Sequence, residues 1–162
     1  MKQERYYAAY GSNLSVGQMA SRCPNAKIVG TAILENYELL FKGSPGNAHA
    51  TVEPCIGKQV PILIWAIDVR DEKRLDAYEG YPSYYTKTTC AIEVNGEIET
   101  VMFYEMQPDF HFNIPSPRYF NIIRDGYKRF DFPEEVLEQA LLKSVLPLYE
   151  KLEVEENLEL RL

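Results

Sequence analysis

Few residues of this chain are able to do chemistry, and their spacing narrows what that chemistry is. No serine sits in a GxSxG turn, and His49 and His111 are the only histidines, too few for a metal site built from several imidazoles. Cys23, Cys55 and Cys90 are odd in number, far apart and without CxxC spacing, which argues against a disulfide framework or a structural zinc. Alternation puts Cys90 on one strand face with Ile92 and Val94, a core position rather than a nucleophile. What remains is one carboxylate and one turn. Glu79 closes a helical stretch and is followed by "GYPSYY", where Gly80 lets the chain turn and Pro82 fixes the exit. The negative end of the helix dipole and desolvating aromatic neighbours both push such a carboxyl towards the pKa of a general acid/base, although an ordinary solvated helix-end glutamate has the same spacing. The turn is "YYAAYGSNLS", Tyr6 to Ser15, a strand that breaks at Gly11 into the start of a helix. That arrangement holds anions on backbone N–H groups, and many turns without a ligand share it.

The elements that position these residues are readable from periodicity. Tyr6 to Tyr10 forms a first strand, and Ser15 caps a short helix running to about Arg22, ended by Cys23-Pro24. Lys27 to Gly43 gives one or two strands with a bend near Glu35-Asn36, followed by a loop from Gly43 to Asn47. Val60 to Val69 is too apolar and β-branched for a solvent-facing strand and belongs in the sheet centre. A helix begins at Asp71 and stops at Gly80, and Asn95-Gly96 joins two alternating strands in a hairpin. Ser116-Pro117 opens another helix, and "PEEVLEQALLKSVLPLYEKL" forms an amphipathic one. The acidic "EVEENLELRL" either frays or packs as a last element. Strands with inserted helices and two terminal helices predict an α+β fold rather than a doubly wound sheet.

Composition limits the partners. At 162 residues one domain, 1–162, is expected, with no repeat or linker inside it. A net charge of −7, without a cluster among the 17 Lys and Arg, excludes a nucleic-acid backbone as partner and leaves an acidic small molecule dependent on a local anion site. No apolar run approaches membrane-spanning length and "MKQERYY" has no signal-peptide core, so a cytoplasmic protein without a membrane partner is expected. A homodimer is possible, and a soluble monomer fits equally. The twelve tyrosines suit a polar pocket, where rings pack and hydroxyls bond a ligand, or plain half-buried packing.

Three segments taken together resemble the γ-glutamylcyclotransferase-like (AIG2-like) family: "YGSNL" at Tyr10 to Leu14, "LDAYEGYPSYY" at Leu75 to Tyr85 and "PSPRY" at Pro115 to Tyr119. They stand in the family's order across residues 6–130, and the C-terminal helix and tail, 131–162, lie outside the resemblance. The resemblance implies a small, mixed, partly closed β-barrel with flanking helices, and conversion of a γ-glutamyl amide into 5-oxoproline with release of the amine. It implies Glu79 as general acid/base and a substrate site drawn from Tyr10, Gly11, Ser12, Asn13, Leu14, Tyr85, Tyr104 and Tyr119, with Tyr84 as the alternative to its neighbour Tyr85. Neither metal nor cofactor is implied. The leaving-group pocket is expected from "QPDFHFNIPSPRY" and "GSPGNAHATVEP". Two alternatives share the fold: a module that binds a γ-glutamyl or other carboxylate ligand without turnover, and an amide hydrolase in which water replaces the substrate amine.

Overall fold

The computed structural model describes residues 4–161. Strand β1, Arg5–Ala9, leads through a 3₁₀ turn at Ser12–Leu14 into helix α1, Val16–Arg22. The long strands β2, Lys27–Ser44, and β3, Asn47–Ile67, follow, and then α2, Val69–Glu79. The hairpin β4, Tyr85–Val94, and β5, Glu97–Met106, precedes α3, Pro117–Arg129, and α4, Glu134–Glu159.

The five strands form one sheet in the order β2-β3-β1-β5-β4, in which β1 runs antiparallel to β3 and parallel to β5. The continuous apolar run of β3 explains its interior place. Ile62, Leu63, Ile64, Trp65 and Ile67 are all buried, with β1 on one side and β2 on the other. Pro61, which lacks an N–H, lies beyond the last residue paired with β1 and pairs with Ile33 of β2. The expected bend of β2 is real. Asn36 adopts φ 60°, the pairing jumps from Glu35↔Gln59 to Tyr37↔Pro54, and the Asn36 Oδ1 accepts from Gly57 N at 3.0 Å. The expected Gly43 to Asn47 loop is shorter than the sequence suggests, since both strands continue into a tight turn at Pro45-Gly46.

The fold is mixed α+β as expected, but the sheet is not a closed barrel: β2 and β4 remain its edges. Curling still brings the β4–β5 turn onto β2, where Asn95 Nδ2 donates to Val29 O at 3.2 Å. Helix α2 starts two residues earlier than its acidic first turn suggests, because Asp68 is the N-cap and accepts from Asp71 N at 2.9 Å. Ser15 and Ser116 cap α1 and α3 as their sequences predict. Helix α4 takes in the acidic stretch as well. It docks on β2 through Leu137, Ala140 and Ser144, whose Oγ accepts from Phe41 N at 2.9 Å, and its last turns from Tyr149 onwards are exposed. Among the described residues no helix is long and apolar enough to cross a membrane.

Candidate active site

Glu79 is the last residue of α2, and its position follows from how that helix ends. Gly80 takes a left-handed φ of 65°, and the reversal is fixed by Tyr81 N donating to Asp76 O at 2.9 Å and Tyr84 N to Gly80 O at 2.8 Å. Opposite it, β1 ends in the 3₁₀ turn, where Leu14 N donates to Gly11 O at 3.0 Å and Trp65 Nε1 donates to Asn13 O at 3.1 Å. Between them lies a cavity of about 200 Å³. Glu79, Gly11, Ser12 and Asn13 line it together with His49, Ala50 and a ring of tyrosines.

Burial is the main reason that the Glu79 carboxyl is pushed up from 4.5 to about 7; the guanidinium of Arg22 opposes the shift. No hydrogen-bond donor for this carboxyl is found among the described residues. The helix-end dipole, invoked from sequence alone, acts in the same direction as burial. Arg22 is itself held at the rim, with Nη1 on Asn13 Oδ1 at 2.5 Å, Nη2 on Tyr78 OH at 2.6 Å and its guanidinium carbon 3.6 Å from the centre of the Tyr78 ring.

The tyrosines divide by what their hydroxyls do. Tyr10 donates to Tyr104 O at 2.5 Å, Tyr85 to Ala50 O at 2.7 Å and Tyr104 to Asp76 Oδ1 at 2.6 Å. Those bonds tie the cavity wall together. Tyr119 OH instead accepts from Ala50 N at 2.9 Å, and Tyr84 OH pairs with His49 Nδ1 at 3.0 Å. Both Tyr84 and Tyr85 line the cavity.

Leu14 stands apart from the other sequence-derived candidates. Its amide is committed to Gly11 O, and its side chain is fully buried against Gly126 of α3, where an added Cβ would come within 2.6 Å of Leu14 Cβ. It is not part of the cavity wall, and it anchors the turn from behind. The β3 stretch contributes His49 and Ala50 and helix α3 contributes Tyr119, while the β5–α3 segment brings the Phe110 ring to 4.8 Å from Tyr84. Phe112 lies elsewhere, under Lys42 Nζ. Sequence reasoning did not name Tyr7, Tyr78, His49, Ala50 or Arg22 individually as site residues, although His49 and Ala50 lie in the "GSPGNAHATVEP" stretch expected at the leaving-group pocket. Tyr78, adjacent to Glu79, had the clearest signal. Among the described residues no cluster of three or more His, Cys, Asp or Glu is arranged to hold a metal ion.

A small cavity lined by one buried carboxyl raised towards neutrality, on a mixed sheet with flanking helices, has the form of a small-molecule enzyme site. The profile of the family described as "Gamma-glutamyl cyclotransferase, AIG2-like" matches residues 7–122, and the chain belongs to that family. Its relatives include the gamma-glutamylcyclotransferases of Bos taurus, 29% identical over 94% of this chain and 85% of that one, and of Homo sapiens, 30% identical over 87% and 78%. A solved structure titled "Gamma-glutamyl cyclotransferase" superposes with a TM-score of 0.76 at 27% identity, covering 85% of this chain and 86% of its own. The chain is thus an enzyme of the gamma-glutamylcyclotransferase type.

Proposed function

We propose that the protein cyclises the γ-glutamyl group of a γ-glutamyl amino acid or amine to 5-oxoproline and frees the amine, with Glu79 moving the proton. The α-amino nitrogen attacks the γ-carbonyl carbon of the same molecule, so a five-membered ring closes and no protein nucleophile is needed. The α-ammonium loses two protons on becoming the ring N–H, and Glu79 takes them one after the other, the first before attack and the second from the adduct. It passes each to the departing nitrogen, which leaves as an ammonium when the amide C–N bond breaks, so Glu79 ends ionised and no water enters the balance. A carboxyl poised near neutral pH exchanges a proton in both directions, which a carboxyl of ordinary acidity does poorly. The observation that carries the reading is this carboxyl, held at about 7 and without a hydrogen-bond donor, facing the Gly11–Asn13 turn across the cavity.

The N–H groups of Ser12 and Asn13 suit an oxygen of the substrate, either its α-carboxylate or the developing oxyanion. A cavity of about 200 Å³ suits a glutamyl-sized group, with the leaving amine towards the mouth beside Tyr84 and Phe110. The test is incubation with a panel of γ-glutamyl amino acids and amines without added metal, analysed by mass spectrometry. The expected product is 5-oxoproline, lost in Glu79→Gln. Free glutamate instead would assign a hydrolase, and thermal protection without turnover a binding module.

A further inference from the structure

Of the cavity phenols, Tyr7, Tyr78 and Tyr119 each accept a hydrogen bond with no acceptor for their own proton among the described residues, and Tyr7 is the buried one of the three, Tyr78 being exposed and Tyr119 half-buried. A phenol has one proton and donates once. Tyr10, Tyr85 and Tyr104 have spent theirs on Tyr104 O, Ala50 O and Asp76 Oδ1, and Tyr84 shares a hydrogen bond with His49. Tyr7 OH accepts from Asn13 Nδ2 at 2.9 Å, and no acceptor for its own proton is found among the described residues. The direction of that bond is dictated from further out. The other end of the Asn13 amide lies 2.5 Å from Arg22 Nη1, and a guanidinium only donates. The end facing Arg22 must therefore be the oxygen, and the end facing Tyr7 the NH₂. Arg22 is fixed in turn by Tyr78 and by Ser12 Oγ at 3.4 Å. A one-way relay runs from Arg22 through Asn13 to Tyr7, and its last proton points at whatever occupies the cavity. Tyr7 is only 4% exposed, so bulk solvent does not satisfy it, and a buried donor without an acceptor is costly.

We infer that Tyr7 donates a hydrogen bond to the γ-carbonyl oxygen of the substrate as negative charge develops there, with Arg22 and Asn13 as the residues that position it. This rests on the cyclisation reading above. The γ-carbonyl oxygen is favoured over the α-carboxylate because Tyr7 neighbours Glu79, whose charge is the strongest influence on the Tyr7 phenol after burial. The two nitrogens that Glu79 serves, the attacking amine and the departing amide nitrogen, are both bonded to the γ-carbon in the tetrahedral adduct. A donor beside Glu79 reaches the oxygen on that same carbon. As the amine attacks, the carbonyl π pair moves onto this oxygen and the Tyr7 hydrogen bond strengthens. When the adduct collapses, the pair returns, the C–N bond to the leaving amine breaks and Tyr7 keeps its proton. Burial and the nearby carboxylate hold the phenol well above its ordinary pKa, which suits a donor that is not an acid.

The experiment measures 5-oxoproline formation from γ-glutamyl-alanine by wild type, Tyr7→Phe, Asn13→Asp and the double variant, on the alkaline plateau of the pH profile, with folding checked by thermal melting. Tyr7→Phe is expected to lower kcat about 100-fold and to change KM little, as for loss of one oxyanion donor. Asn13→Asp keeps the side-chain size and the Arg22 contact but offers Tyr7 an acceptor, so it should draw the proton out of the cavity and lower kcat likewise. The double variant should then be no slower than the slower single one. An active wild type alongside a Tyr7→Phe variant of unchanged kcat, or of raised KM alone, overturns the oxyanion role. Multiplying losses in the double variant overturn the relay. A wild type that forms no 5-oxoproline overturns the reaction assignment itself, and the role of Tyr7 with it.

Discussion

A carboxyl raised to about 7 in the folded chain, against 4.5 for a free glutamate, carries a cost that makes its role measurable apart from catalysis. The folded state binds this proton more tightly than the unfolded one, so the group favours folding below about 4.5 and opposes it progressively as pH rises to about 7. Above that, ionised Glu79 costs the fold up to about 3 kcal/mol, at 1.36 kcal/mol per pKa unit. Glu79→Gln should therefore melt higher than wild type at pH 8 and lose much of the stability gap by pH 5, while turnover falls about 10²- to 10⁴-fold. Melting curves at both pH values, run beside the 5-oxoproline assay, check this; a variant that is less stable at pH 8 contradicts it. Because kcat/KM reports the free enzyme, its acid limb should have an apparent pKa near 7. Arg22→Met, which removes the opposing cation, should move that limb to higher pH. An unmoved limb would separate Arg22 from Glu79. Gly11→Ala places a methyl 3.3 Å from Ala50 Cβ and 3.5 Å from Tyr119 OH, and is expected to raise KM in the same assay. Glu79 was legible in the sequence because its helix end and aromatic neighbours are contiguous with it. Tyr7 and Arg22 were not, because their relevance lies in hydrogen bonds with the Gly11–Asn13 turn that no periodicity records.

Elements rather than single side chains set the distance between the Gly11–Asn13 turn and the rest of the cavity. The turn backs onto α3 through Leu14 and Gly126, and α3 carries Tyr119, so one contact fixes two parts of the wall. Gly126→Ala brings a Cβ to 2.6 Å from Leu14 Cβ, a collision of one buried side chain with another element. It is expected to destabilise by about 1–3 kcal/mol, as overpacking does, and to impair turnover beyond what the stability loss explains. Denaturant unfolding with the assay at saturating substrate measures both, and a stable variant of normal kcat would show that the turn tolerates displacement. Helix capping was the most legible feature at this scale, since Ser15 and Ser116 are each local signals read within one turn. The start of α2 was less so, because Asp68 follows a strand without a break and the acidic pair Asp71 and Glu72 sits inside the first turn rather than before it. Leu14, expected at the substrate site, lies outside the cavity lining for an equally local reason: the 3₁₀ turn consumes its amide.

At the scale of the whole chain, the sequence predicted the α+β class and the central place of the apolar β3 run, yet not the open sheet, because closure depends on whether β2 and β4 pair across space. The two edges approach without pairing, and the hydrogen bond from Asn95 Nδ2 to Val29 O comes from the β4–β5 turn rather than from a strand ladder. The acidic C-terminal stretch shows the same limit. Its composition left fraying and packing as a last element equally open, and it does neither, continuing α4 past Pro147 with every residue from Tyr149 to Arg161 exposed. The part of α4 that supports the fold lies before that point, where Ser144 bonds Phe41 N and Lys143 pairs with Glu38 across to β2. Nothing in the cavity wall comes from α4. Removing residues 150–162 should therefore change the melting temperature by no more than about 2 °C, since none of its described residues is buried. Turnover should be unchanged. Melting and assay of the shortened chain beside the full one, with light scattering on both, test the division. Lost turnover in a chain that still melts normally would mean that the exposed turns act on the site through an assembled state.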